Sequence, residues 1–269
     1  MITEAAARII EQVREQRPLI HCITNYITSN DCANILLSFG ASPAMCDAWD
    51  EAYDFARISA ALYINFGTYI KEQEAAAVEA SLGAKAAGRP IVLDPVGCGA
   101  IKRRIPILDH LHEVAGIAII KGNMGEIMAL AGKDAPVKGV DSGAEVPGIE
   151  EAVMGLASRY RCVVAATGKV DVVSDGTRLA RIANGVELLT RLTGAGCMVG
   201  ALCGATAAAA CQSGGDLFTA AIAAIAAMGI AGELAFEKAQ LPGSFRVALM
   251  DSIYGIRGDS LSQRGKIQC

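Results

Sequence analysis

Residues 90–96 read PIVLDPV, an apolar run with no polar interruption that stops on an aspartate and a proline. A strand with one face in water alternates apolar and polar residues, whereas one covered on both faces is apolar throughout, as in a parallel sheet. The same character recurs in PLIHCIT (18–24), ALYINFG (61–67), IAIIKGN (117–123) and CVVAATG (162–168). Helical stretches lie between these runs, such as EQEAAAVEASLGAKAAG (72–88), in which Ala75, Val78 and Leu82 share one face. Alternating strand and helix implies βαβ crossovers and predicts a three-layer αβα sandwich around a mostly parallel sheet.

The flanks of this pattern differ from its centre. At the start, Ala6, Ile9, Ile10 and Val13 form the stripe of an amphipathic helix, which Pro18 ends. After Gly168, VDVVSDGTRLARI (170–182) reads as two short strands joined at Asp175-Gly176, a β-hairpin at the edge of the sheet. From Cys197 onward almost everything reads as helix, and residues 258–269 are expected to form a loose tail. No linker, block of like charge or solenoid repeat divides the 269 residues, so 1–269 is read as one domain.

Composition narrows the function. The formal net charge is -4 and the pI about 5.5, without a basic stripe, which argues against nucleic acid and leaves small ligands as the better partners. Glu4, Glu11 and Glu15 lie among the apolar positions of the first segment, which reads as an amphipathic helix without the apolar core of a signal peptide. The most hydrophobic stretch, 195–211, is dominated by Ala and Gly and stops at Gln212-Ser213-Gly214-Gly215-Asp216, which predicts a buried helix rather than a membrane span. Nine cysteines, without a CxxC pair or a zinc spacing, fit mostly buried free thiols in a reducing cytoplasm. His21 reads as a core or interface histidine, and His110 and His112 give no site.

Several strands end on polar or glycine-bearing turns: Asn65-Phe66-Gly67-Thr68, Asp94-Pro95-Val96-Gly97, Lys121-Gly122-Asn123 and Thr167-Gly168. Ligands of open α/β sheets collect outside the carboxyl ends of the strands, so these turns should line one site. GAKAAGRP (83–90) is the nearest approach to a P-loop, but it lacks the Lys-Ser/Thr ending. GAGCMVG (194–200), with Asp216 downstream, imitates a dinucleotide fingerprint, yet no second strand presents Asp216. What remains is Thr193-Gly194-Ala195-Gly196-Cys197 as a helix N-terminus, where close backbone approach, free amides and the helix dipole favour an anion. A glycine-rich turn before a tightly packed helix is the competing account.

The segments PLIHCITNYITSNDCANILLSFGASPAMCDA (18–48), LYINFGT (62–68), PIVLDPVGCGA (90–100), KGNMGEIMALAG (121–132), GVDS (139–142), VVAATGKVDVVSDG (163–176) and NGVELLTRLTGAGC (184–197) together resemble hydroxyethylthiazole kinase, of the ribokinase-like superfamily. The similarity runs from about residue 18 to the GSF and DSIYG segments near 245 and 255. A cysteine at the end of the anion loop, where most of the superfamily has aspartate, is characteristic of the thiazole kinases. The resemblance implies phosphorylation of the primary alcohol of 4-methyl-5-(2-hydroxyethyl)thiazole with ATP and magnesium, a salvage step toward thiamine.

Carried over residue by residue, Gly194, Ala195, Gly196 and Cys197 are implied to form the anion hole, with Cys197 beside the substrate hydroxyl. Two readings of Cys197 stand: a helix N-terminus lowers its thiol pKa so that it takes the hydroxyl proton, or it only shapes the pocket. Asp94 and Glu126, the latter in Asn123-Met124-Gly125-Glu126, are implied at the metal, with a first-turn helix carboxylate as the plainer account of Glu126. Lys121, Thr167 and Gly168 match the ATP-binding positions, although Lys121 stands where the family usually has arginine. An ST-turn is the alternative for Thr167. Met45 and Asn25 match positions around the thiazole ring; ordinary core packing and helix capping are their alternatives. The family is trimeric, so residues near Asn25 and Met45 are expected to face the anion hole of a neighbouring subunit. A sibling kinase of hydroxymethylpyrimidine or pyridoxal, and a non-catalytic nucleotide-binding relative, are the rival readings.

Overall fold

Each apolar run becomes a strand of one nine-stranded sheet: β1 (Leu19–Ile23), β2 (Ser42–Ala44), β3 (Ala61–Asn65), β4 (Ile91–Asp94), β5 (Ile119–Asn123), β6 (Val163–Thr167), β7 (Asp171–Ser174), β8 (Leu179–Ile182) and β9 (Ile267–Gln268). The structure, a computed structural model, describes residues 2–133 and 146–269; the GVDS segment lies outside them. The strand order is β2-β1-β3-β4-β5-β6-β7-β8-β9. Pairing is parallel from β2 through β6 and antiparallel from β6 to β9. The β7–β8 hairpin turns through 175–178, with Gly176 in the left-handed region at φ 93°. The hairpin is not the outermost element, because β9 pairs outside it.

Helices cover both faces. On one side lie α1 (Ile2–Gln16), α2 (Ser29–Phe39), α8 (Ala195–Gln212), α9 (Leu217–Lys238), α10 (Pro242–Gly255) and α11 (Gly258–Arg264), packed on Ile20, Cys22, Tyr63, Val92 and Ile119 of the sheet. On the other lie α3 (Trp49–Ile58), α4 (Lys71–Ala86), α5 (Arg104–Ala115), α6 (Met124–Leu130) and α7 (Ile149–Tyr160), against Leu62, Ile64, Leu93, Ile120 and Val164. Successive side chains point to opposite faces, both of them buried, which is why the strands read as unbroken apolar runs. The helices α8 and α9 are long and apolar enough to cross a membrane, but 72% and 83% of those windows are buried within the fold. Asp216 caps α9 by accepting from Thr219 N at 3.1 Å, a role unrelated to a ribose contact.

Two further expectations need correction. The buried face of α4 is Ala76, Ala77, Ala80 and Ala84, whereas Ala75 is exposed and Val78 and Leu82 are half-buried. Close packing of α3 on α4 selects the small residues: a Cβ on Gly83 would run into the Tyr53 carbonyl oxygen. Gly83→Ala is therefore expected to lower stability by about 1–3 kcal/mol through overpacking, measurable by urea denaturation. The C-terminal residues are not loose. Leu261 is fully buried, Gly258 N donates to Glu11 Oε1 at 2.6 Å, and β9 pairs with β8. The polar look of this segment concealed one apolar anchor and a glycine seated against the Ala7 carbonyl.

Candidate active site

After β1 the chain moves outward to β2 and then returns across β1 to β3, so the direction of winding reverses between β1 and β3. Ligand crevices of open α/β sheets form at such a switch point, beyond the strand carboxyl ends. Asn25 follows β1 there and Asn65 ends β3; Asn25 Nδ2 donates to Asn65 Oδ1 at 2.8 Å. The N-terminus of α8 reaches the same place. Asn25 Nδ2 lies 3.6 Å from Cys197 Sγ, and the residue before the helix, Gly194, takes φ 88° close against Thr28. A Cβ on Gly194 would stand 2.7 Å from Thr28 Cγ2.

Helix geometry leaves the amides of Gly196 and Cys197 without intrahelical acceptors, and Gly194 supplies no side-chain cap. The Ala195 amide is engaged, donating to Leu192 O at 3.3 Å, so the free amides of this turn narrow to those of the two residues after it. Beneath this turn is a buried ion pair: Lys121 Nζ lies 3.3 Å from Asp94 Oδ2 and donates to Gly196 O at 3.0 Å. Burial opposes the charge on Lys121, but Asp94 and Glu126 outweigh it and keep the ammonium above its ordinary pKa. Burial, only partly offset by Lys121, lifts Asp94 well above the usual carboxylate range.

Of the two readings of Cys197, the one that lowers its thiol pKa meets an opposing setting. Burial and then the neighbouring Asp94 push its thiol pKa up, against the smaller opposing pull of Lys121. A helix start was expected to lower it; the desolvated setting reverses the sign. Asn25 lies within reach of Cys197 of its own chain. Its Oδ1 accepts from Thr28 N at 3.1 Å, an Asx-type turn that leads into α2 by way of Thr28, the residue before the helix.

The carboxylate of Glu126 accepts from Asn123 N at 2.7 Å and Gly97 N at 2.8 Å, while Asn123 Oδ1 accepts from Glu126 N at 2.8 Å. This is a capping box for α6 that also ties down the turn after β4. Thr167 Oγ1 lies 3.3 Å from Gly122 O, and Gly168 N donates to Asp171 Oδ1 at 2.8 Å, so these groups have partners within the chain. Met45 follows the edge strand β2, half-buried against the helical core. Thus direct contacts join Asn25, Cys197, Gly196, Lys121 and Asp94. Glu126 joins through a backbone amide, Thr167 through the β5–β6 register, and Met45 sits at the sheet edge.

The sequence profile of the hydroxyethylthiazole kinase family matches residues 10–259. The chain belongs to the hydroxyethylthiazole kinase family. It is 58% identical over 260 residues to hydroxyethylthiazole kinase 2 of Clostridium botulinum strain Loch Maree, covering 97% of both chains. The solved hydroxyethylthiazole kinase protein of Pyrococcus horikoshii superposes with a TM-score of 0.88 at 40% identity, covering 98% of both chains. The pyridoxal kinase of Staphylococcus aureus shares the fold, with a TM-score of 0.59 at 13% identity, over 80% of this chain and 88% of that one. The ribokinase-like reading of the sheet and helices therefore stands.

In this hydroxyethylthiazole kinase family member the donor set can be tested against a metal. Asp94 Oδ1 is buried with no hydrogen-bond partner, an open carboxylate oxygen of the hard type that magnesium prefers. Among the described residues no cluster of three or more His, Cys, Asp or Glu side chains forms. Glu126, with both oxygens on amides, fits as support.

Sequence reasoning missed Tyr63, Asn65 in its bonded role, Arg104 and Asp171. Arg104 binds the carbonyls of Val96 and Gly67, joining the turns after β3 and β4. Asp171 is buried and raised to about 7, by burial against the opposing Gly168 amide. A carboxyl whose folded pKa exceeds its unfolded 3.8 contributes stability at low pH and loses it as pH rises toward about 7. Asp171→Asn keeps an oxygen for Gly168 and is expected to flatten that part of the pH–stability curve, read from thermal midpoints on either side of the window.

Proposed function

We propose that the protein phosphorylates the primary alcohol of 4-methyl-5-(2-hydroxyethyl)thiazole with ATP, as a salvage step toward thiamine. The observation that carries this reading is Cys197 at the open start of α8, against Asn25 and beside the Asp94–Lys121 pair, in a chain 58% identical to a protein of that name. The alcohol oxygen attacks the γ-phosphorus, the bond to the ADP oxygen breaks, and the amides of Gly196 and Cys197 face the charge on the transferring group. Lys121 adds positive charge behind them, and Thr167 and Gly168 serve the nucleotide at the end of β6. Asn25 and Met45 serve the thiazole. Magnesium, held by Asp94 with Glu126 in support, would neutralise phosphate charge. In a loose phosphoryl-transfer transition state the hydroxyl proton leaves late, so a strong base is not required. A thiol raised by burial suits a pocket-shaping Cys197. The protein acts in the cytoplasm as a homotrimer; a monomer by light scattering at assay concentration counts against the trimer.

The decisive assay follows ATP consumption across hydroxylated thiazoles, pyrimidines, pyridoxal and sugars, with magnesium present and then chelated. Turnover confined to the thiazole alcohol and abolished by chelation is expected; preference for another alcohol overturns the substrate. Cys197→Ala should keep turnover within about tenfold of wild type, whereas a required base would cost about 10²–10⁴-fold.

A further inference from the structure

We infer that Tyr63 is a positioning residue for phosphoryl transfer, holding the first turn of α8 to the sheet through a closed ring of hydrogen bonds. The inference rests on the kinase reading above. Tyr63 lies in β3, fully buried on the face covered by α8. A buried phenol needs partners for its hydroxyl, and here every partner belongs to the site. Asn65 Nδ2 donates to Tyr63 Oη at 2.9 Å, and Tyr63 Oη donates to Cys197 O at 2.9 Å; Asp94 Oδ2 is the more distant acceptor at 3.5 Å. With Asn65 occupying a lone pair, the single phenol proton goes to the nearer carbonyl. Asn65 Oδ1 accepts from Asn25 Nδ2, which also reaches Cys197 Sγ. The path therefore closes: the backbone of Cys197 to Tyr63, to Asn65, to Asn25, and back to the Cys197 thiol.

The ring needs a gap in α8. A Cβ on Gly200 would stand 2.6 Å from Tyr63 Cε2 and 2.7 Å from its hydroxyl, so only glycine lets the phenol reach the first turn. A phenylalanine would fill the same core space, so the hydroxyl is what the ring adds. Its effect is to fix the Gly196 and Cys197 amides, and the thiol, relative to Asp94. Donors aimed at transition-state charge lose their value when displaced by about 1 Å, a loss on the order of 10²-fold. The defect should therefore fall on kcat rather than on nucleotide binding.

The test compares purified wild type, Tyr63→Phe and Gly200→Ala, with ATP, magnesium and hydroxyethylthiazole, at a temperature where all three are folded. Tyr63→Phe is expected to lower kcat roughly 10- to 100-fold, within the loss just derived, with the KM for ATP changed by less than about threefold. Gly200→Ala, which keeps the hydroxyl but displaces the ring, should give the same selective fall in kcat. If Tyr63→Phe keeps kcat within about twofold of wild type, whatever its thermal midpoint, the hydroxyl is core packing alone and the inference is overturned. Wild type is assayed first: if it turns over a different alcohol, the substrate assignment falls and the comparison is made on that alcohol. A wild type with no kinase activity removes both.

Discussion

Lys121→Met is expected to destabilise the protein by about 3–5 kcal/mol and to abolish most turnover, the cost typical of removing one partner of a buried ion pair. Lys121 and Asp94 are 3% and 1% exposed at the side chain, so neither has water to fall back on. Without the ammonium, Asp94 is left as an uncompensated buried charge or must take up a proton, and Gly196 O loses its donor. The double variant Asp94→Asn with Lys121→Met should recover much of the stability, because both charges are gone, and recover none of the activity. Urea denaturation and ATP consumption measured on the same samples separate the two outcomes. Double and single variants of equal stability would show that the pair is not what holds this part of the fold.

Gly194→Ala should produce the other large effect. Its backbone sits at φ 88°, where an L side chain costs about 1–2 kcal/mol, and the added methyl would press on Thr28. Relief of both strains moves the loop that sets the first turn of α8. Displacing an oxyanion-type donor costs about 10²–10³-fold in turnover. A kcat loss of that order, with the far-ultraviolet circular dichroism unchanged, is the expected result. Near-normal turnover would remove the α8 amides from the mechanism.

Several elements were readable from residues alone because their causes are local. Unbroken apolar runs of PIVLDPV type mark strands covered on both faces, and the helices between them require parallel crossovers. Thr193 to Cys197 reads as a helix start because glycines and a following apolar run are neighbours in the chain. Gly176 at the hairpin and Pro18 after the first helix act within a residue or two, so they too were legible.

What the tertiary structure decided depends on partners distant in sequence. The raised thiol of Cys197 follows from burial beside Asp94, 103 positions away in the chain. The small-residue face of α4 follows from how closely α3 approaches, and the order of the C-terminal segment from where α1 and β8 happen to lie. Tyr63 looked like one more apolar strand residue, since nothing next to it announces that Gly200 leaves room for its ring or that Asn65 and Cys197 flank its hydroxyl. Periodicity and turn chemistry are written residue by residue; desolvation, close approach and hydrogen-bond closure are set only when folding brings remote segments together.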